Sequence, residues 1–411
     1  MTFPRVALFT DSYYEANGVA RTANALEAHA VSHDRPMLVV HGGPTNQMIE
    51  SGSTIRLELK RAAATSFALE HDLSFDLALW RHTRRVRRIL EWFQPDVVHV
   101  TGPSDIGLLG AYLAHRAALP IVGSWHTNLH EYASRRLMPF LRRLPRLSDA
   151  RRHRIAQLAE RGSLWGTMLF YKLSKVTLAP NAEWADVLRG RFRRQTFVMT
   201  RGVDTTLFSP GRRARTDAAL NIGYVGRLSA EKSVRTLASV ANTLAAEGVP
   251  NVRFTIVGDG GEREWLRQNV PGAVFTGVLR GGDLSAAYAN MDLFVFPSET
   301  ETVGNVVLEA MASGVPVVAM ARGGPKFIAG SSRGAVLAGS QQELVDLTVS
   351  LAANPDARQM MAARARQDAL TRSWSAVFDT VYHAYESALA NARGKARNPD
   401  GQVVAVIEGQ A

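Results

Sequence analysis

The chain has 411 residues, too many for one comfortable hydrophobic core, so two domains are expected. Its 46% hydrophobic and 21% charged content is that of a soluble globular protein rather than a disordered one, and the absence of cysteine excludes disulfides and thiolate metal sites. A net charge of +11 favours anionic partners: nucleic acid, acidic lipid headgroups or phosphorylated small molecules. Much of it is clustered arginine: Arg81, Arg84, Arg85, Arg87 and Arg88, then eight more between 135 and 154. The opening Met1-Thr2-Phe3-Pro4-Arg5 lacks the apolar run of a signal peptide, and no stretch reaches the ~18–20 apolar residues of a spanning helix. The expected location is cytoplasmic, or attached to a membrane from the cytoplasmic side.

Residues 5–10 read as a first buried strand, leading through Asp11–Val19 into a helix that starts near Ala20. Gly18 at this strand-to-helix turn lets backbone approach a phosphate, though Asn17-Gly18 equally fits plain turn chemistry. Residues 37–41 form a strand, 76–93 a long basic helix, 96–100 a strand and 106–117 a helix. The strand 120–124 delivers Trp125-His126-Thr127-Asn128 at the end where a doubly wound domain presents ligand-contacting groups. Residues 130–175 interrupt this rhythm with a basic, partly apolar insertion. Within it Leu137, Phe140, Leu141 and Leu144 fall at helical spacing, with Arg135, Arg136, Arg142 and Arg143 on the other side and Pro139 as a kink or restart. Such a segment can lie on an anionic membrane, or pack its apolar side on the domain and leave the arginines solvated.

Alternation resumes with a strand at 176–180, a helix over 182–189 capped by Asn181, and a last strand at 197–199. After the polar stretch 211–218 a second domain opens with the strand 222–226, the loop Arg227–Lys232 and a helix from about Ser233. Two cations five residues apart on such a loop suit a diphosphate and the charge that develops on it as a leaving group; a solvated arginine and a Glu231–Lys232 surface pair are the plainer alternative. The strand 253–257 ends in Gly258-Asp259-Gly260-Gly261, a second glycine turn. A helix at 283–291 precedes the strand 292–296, which runs into a loop carrying Glu301 and Gly304 and then a helix carrying Glu309. Gly304 clears bulk at that helix entrance, so its N–H groups can meet an anion or a sugar hydroxyl. Glu301 and Glu309 taken alone fit a solvated loop acid and a surface helix acid. An amphipathic helix from Trp374 to Leu389 and a polar tail at 392–411 end the chain.

The strand, Glu301, Gly304 and Glu309 together resemble the E-x7-E motif of the retaining glycosyltransferases of family 4, and the resemblance extends over roughly residues 5–390. It implies an α/β protein of the GT-B fold, two Rossmann-like doubly wound domains facing each other across a cleft. Residues 1–202 form the acceptor-side domain, 203–218 a linker, 219–373 the nucleotide-sugar domain, and the helix 374–390 returns to the first. By the same resemblance Glu301 contacts the donor sugar, Glu309 the ribose, Arg227 and Lys232 the diphosphate, Gly18 the diphosphate from the first domain, and His126 the sugar. Gly258, Val303, Gly304 and Asn305 complete the donor-binding set. With no Asp-x-Asp pair a metal site is not expected, and no cofactor beyond the nucleotide-sugar substrate.

The expected activity is transfer of a hexose, first of all mannose from GDP-mannose, to a lipid or glycolipid acceptor with retention of configuration. A UDP-sugar enzyme with a soluble glycan acceptor, a nucleotide-sugar epimerase and a basic nucleic-acid-binding protein are the alternatives. The last lacks a recognised reading motif or stacking surface.

Overall fold

The computed structural model describes residues 3–15, 18–70, 73–126, 149–300, 304–330 and 332–394. They form two compact units. One holds the described residues up to Thr200 together with those from Phe378, and the other holds Arg201–Val377.

The first unit contains β1 (Val6–Thr10), β2 (Met37–Gly43), β3 (Met48–Ser51), β4 (Thr54–Lys60), β5 (Ser66–Glu70), β6 (Leu73–Asp76), β7 (Val97–Val100), β8 (Ile121–Ser124), β9 (Val176–Ala179) and β10 (Thr196–Val198). Eight of these form one sheet in the order β10-β9-β8-β7-β1-β2-β4-β3, parallel throughout except for the antiparallel edge strand β3. β1, β7, β8 and β9 are buried along their whole length, as expected of apolar runs covered on both faces of a parallel sheet. Helices Gly18–Ser32, Thr83–Phe93, Asp105–Arg116, Asp149–Tyr171 and Ala182–Phe192 connect them. Asn181 caps its helix as expected, its side chain accepting from the Trp184 N–H, and Ser104 does the same from Gly107.

The basic helix expected over 76–93 is shorter. Asp76 ends β6, Leu79–His82 is a 3-10 turn, and the α-helix starts at Thr83. The cause is Asp76, whose carboxylate accepts from the N–H groups of Ala62 and Ala78 and from the Thr65 hydroxyl and the Arg81 guanidinium. Those bonds hold the chain in a turn where the arginine spacing alone favoured helix. The insertion expected over 130–175 includes the helix Asp149–Tyr171, and residues 127–148 lie outside the described residues.

The second unit contains β11 (Leu220–Val225), β12 (Val252–Val257), β13 (Val274–Gly277), β14 (Leu293–Phe296), β15 (Val317–Met320) and β16 (Ala335–Ala338), all parallel, in the order β13-β12-β11-β14-β15-β16. Numbered within the unit this is 3-2-1-4-5-6, a doubly wound sheet whose strand order reverses between β11 and β14. The corresponding reversal in the first unit falls between β1 and β7. Both units thus have the α/β class implied by the GT-B resemblance. Residues 203–218 are held within the second unit: the Val203 N–H donates to the Arg372 carbonyl, and Arg213 and Arg215 both pair with Asp292. The last helix, Trp374–Gly394, buries Phe378, Val381, Tyr382 and Tyr385, and from Phe378 its residues belong to the first unit.

Candidate active site

At the carboxyl end of β11 the chain is lifted and then pinned. Tyr224, fully buried, donates its hydroxyl to the Arg227 carbonyl at 2.9 Å. Leu228 plugs into the core immediately after, so Arg227 is turned out to solvent. A 3-10 turn, Ala230–Lys232, follows, and Ser233 sits in the left-handed region at φ 50° before the helix Thr236–Ala246. Arg227 pairs with Glu231 at 2.7 Å, both largely exposed. Glu231, weighed from the sequence as one half of a Glu231–Lys232 surface pair, is engaged with Arg227. An exposed pair of this kind contributes about 0–1 kcal/mol, so an arriving diphosphate can displace it at little cost.

The loop after β12, the neighbouring strand, is bonded to this one. The Leu228 N–H donates to the Asp259 carbonyl and the Glu262 N–H to the Leu228 carbonyl, both at 2.9 Å. Gly258, at φ 134°, crosses so closely that a Cβ there would lie 1.9 Å from the Gly226 carbonyl oxygen. The glycine turn is thus a backbone crossing that fixes the cation loop.

The loop after β14 reaches the same place. The Thr300 hydroxyl donates to the Glu231 carbonyl at 3.2 Å, joining the acidic loop to the turn that carries Lys232. Gln341 braces it from behind, donating to the Pro297 carbonyl and to Glu299, each at 3.0 Å, while accepting from the Thr236 hydroxyl at 2.8 Å. Arg322 lies 3.5 Å from Glu299. Glu301 and Val303 lie outside the described residues. Gly304 adopts φ 75°, a left-handed cap for the helix Asn305–Ala312, with Pro325 close enough that a Cβ would stand 3.1 Å from its nitrogen. Asn305 is half-buried in the first turn. Glu309 is not a surface acid: it is 6% exposed, and the buried Tyr288 hydroxyl donates to its Oε2 at 3.0 Å. Burying a carboxylate is costly without such partners.

Arg227, Lys232, Gly258, Gly304, Asn305 and Glu309 therefore belong to loops and helix starts at one end of one sheet, around the β11/β14 reversal. Sequence reasoning missed Tyr288 and Gln341, which contact these loops from distant positions and carry no motif of their own.

In the first unit Gly18 begins the helix Gly18–Ser32 in the loop after β1. Directly after β1, at the β1/β7 reversal, the Thr101 hydroxyl donates to the Asp11 carboxylate. Burial pushes the Asp11 carboxyl upward, with Asp105 adding to the effect and Thr101 and Arg61 opposing it. Arg61 in turn pairs with Asp105 at 3.1 Å. These residues were not singled out from the sequence; the available signal was an acid and a hydroxyl directly following two buried strands. His126, half-buried beyond β8, has Nε2 2.8 Å from the Ser124 Oγ. Arg135, Arg136, Arg142 and Arg143 lie outside the described residues. Among the described residues no group of three or more His, Cys, Asp or Glu is arranged to hold a metal ion.

Residues 16–207 match the family model described as Glycosyltransferase Family 4, and residues 219–354 the model described as Glycosyl transferases group 1. A GDP-mannose-dependent alpha-mannosyltransferase of Mycobacterium tuberculosis is 36% identical over 312 residues, covering 74% of this chain and 76% of that protein. One of the same description from Mycolicibacterium smegmatis is 31% identical over 401 residues, covering 94% and 98%. Among solved structures, the sucrose-phosphate synthase of Thermosynechococcus elongatus superposes with a TM-score of 0.64 at 18% identity, covering 94% of this chain and 99% of that one, which is a likeness of fold.

Proposed function

The chain belongs to glycosyltransferase family 4 and is a hexosyltransferase, and from that premise we propose that it moves mannose from GDP-mannose to a lipid or glycolipid acceptor with retention at the anomeric carbon. The observation that carries the donor half of this reading is the bond from Thr300 to the Glu231 carbonyl, which joins the cation loop to the acidic loop at the β11/β14 reversal. The GDP-mannose dependence of the two mannosyltransferase relatives favours guanine and mannose over other donors.

In the proposed reaction the bond between the anomeric carbon and the diphosphate oxygen breaks, and Arg227 and Lys232 take up the charge left on the diphosphate. The acceptor hydroxyl forms its new bond on the same face of the sugar. Its proton passes to the departing phosphate oxygen, and no side chain is assigned as covalent nucleophile. Glu301 holds donor hydroxyls, Glu309 the ribose, and His126 the sugar. A melting screen against GDP-mannose, GDP and a set of UDP-sugars tests the donor: at about 100 times its Kd a ligand adds about 2.7 kcal/mol of stability. GDP-mannose is expected to raise the melting temperature and UDP-sugars to leave it unchanged. The opposite ranking would remove the mannose assignment, and an inverted anomeric configuration in the product would remove retention.

An anionic membrane is the proposed place of work. Among the described residues no helix is long and apolar enough to cross a bilayer. The first unit nevertheless exposes Leu77, Trp80, Trp92, Leu108 and Tyr112, with the Trp80 and Tyr112 rings 5.3 Å apart. Arg84, Arg88 and Trp92 follow one another at four-residue spacing on the helix Thr83–Phe93, all exposed. Aromatic rings with arginines beside them suit the headgroup layer, and each basic residue there contributes about 1 kcal/mol. Replacing Arg84, Arg88, Arg135, Arg136, Arg142 and Arg143 with serine is expected to release the protein from phosphatidylglycerol vesicles in a flotation assay. Unchanged binding at physiological salt would make a soluble acceptor the better reading.

A further inference from the structure

Four side chains in the first unit form one hydrogen-bonded line that ends at His126. The Tyr385 hydroxyl lies 2.8 Å from His99 Nδ1, His99 Nε2 lies 2.8 Å from Ser124 Oγ, and Ser124 Oγ lies 2.8 Å from His126 Nε2. Tyr385 comes from the last helix, His99 from the middle of β7 and Ser124 from the last position of β8. All three are buried, with exposures of 0%, 2% and 0%, and His126 is half-buried. Ser124 is further fixed through its carbonyl, which accepts the Tyr171 hydroxyl at 2.7 Å.

Counting protons gives the line a direction. Burial lowers the His99 pKa to about 3 and raises that of the Tyr385 phenol well above its usual value, so both are neutral near pH 7. A neutral imidazole has one N–H and one lone pair, and a hydroxyl has one proton to give. The line can therefore run outward or inward. Running outward, Tyr385 donates to His99 Nδ1, His99 Nε2–H donates to Ser124, and Ser124 donates to the His126 Nε2 lone pair. Running inward, every bond is reversed and the Tyr385 proton must go elsewhere. Among the described residues no second hydrogen-bond partner meets the Tyr385 hydroxyl. The inward direction would thus leave a fully buried donor unsatisfied, a penalised arrangement, while the outward direction satisfies the buried Tyr385, His99 and Ser124.

We propose that Tyr385, His99 and Ser124 are positioning residues that hold His126 with its proton on Nδ1 and present that N–H to an oxygen of the transferred sugar. The inference rests on the reading of His126 as the sugar-facing residue. Its consequence is that the last helix, remote in sequence from His126, sets which nitrogen of that ring can donate. The tautomer is decided inside the core, before any ligand arrives.

The test reads the tautomer directly. In protein labelled with 15N-histidine, the two ring nitrogens of a neutral imidazole give distinct shifts, and the His126 signals are identified by their loss in His126→Gln. The wild type is expected to show His126 protonated on Nδ1 and His99 protonated on Nε2. Ser124→Ala removes the link and Tyr385→Phe removes the group that orients it. Both are expected to give a mixture of His126 tautomers, and to lower kcat about tenfold with the KM for the nucleotide sugar and the affinity for free GDP unchanged. A purely structural role would lower the melting temperature without moving the tautomer ratio. His126 protonated on Nε2 in the wild type, or tautomers unchanged in both variants, would overturn the proposal, and the wild-type spectrum decides even if a variant fails to fold. Wild-type turnover in His126→Gln would instead overturn the sugar-facing reading beneath it, so the two failures are distinguishable.

Discussion

Replacing Lys232 with alanine should lower turnover by about 100-fold or more while the protein still folds. Lys232 stands on the 3-10 turn after β11, held by the Leu228 plug and by the Thr300 bond to the Glu231 carbonyl. It is half-buried and Arg227 is exposed, so neither contributes a core contact whose loss would unfold the domain. Each charge-assisted contact to a diphosphate is worth about 1.5–3 kcal/mol, more once the donor covers the site and excludes water. Charge builds on the diphosphate as the sugar leaves, so the loss falls more heavily on kcat than on GDP binding. Arg227→Ala should lower turnover in the same direction, since the exposed pair of Arg227 with Glu231 at 2.7 Å gives way to a diphosphate at little cost. Steady-state turnover with GDP calorimetry measures both, and wild-type turnover in Lys232→Ala would end the clamp assignment.

What the sequence made legible was local. β11, β14 and β15 are short apolar runs closed by glycine or polar loops, and strand, loop and helix follow within a few residues of each other. The loops on which Arg227, Lys232, Gly304 and Glu309 depend are therefore marked in the residue pattern itself. The reversal between β11 and β14 then brings two of those loops together, which no residue pattern states. What the sequence withheld depends on distance along the chain. Tyr288 reaches Glu309 from another helix, and Tyr385 reaches His99 across 286 residues, so neither partner has a spacing to recognise. Glu309 could equally have been a surface acid, since its helix is eight residues long and too short for its buried face to be read from periodicity. The hairpin of β5 and β6 and the break at Asp76 were lost for another reason: the arginine pattern of 81–88 extends helically, and only the bonds converging on Asp76 stop it.

A methyl group at position 258 should be more damaging to the fold than the loss of either cation. Gly258 is at φ 134°, a conformation that side-chain-bearing residues rarely adopt, and a Cβ there would sit 1.9 Å from the oxygen and 2.9 Å from the carbon of the Gly226 carbonyl. The obstacle is backbone, and that backbone belongs to the turn that presents Arg227. It cannot swing aside as a side chain would. Nor can the loop retreat freely, since the Gly258 N–H donates to the Gly277 carbonyl at 2.8 Å and Leu228 is tied to both Asp259 and Glu262. Gly258→Ala is therefore expected to destabilise the second unit by about 3 kcal/mol or more, combining an incompatible φ with steric overlap. Where the unit yields instead of unfolding, the turn carrying Arg227 and Lys232 must shift and GDP affinity must fall. Gly261 supplies the control three residues on: a Cβ there meets nothing within 4 Å, so Gly261→Ala should melt and bind GDP close to wild type. Urea melting and GDP calorimetry on the pair separate a backbone crossing from a merely flexible glycine turn. If Gly258→Ala matches Gly261→Ala in both, the crossing does not hold the cation loop.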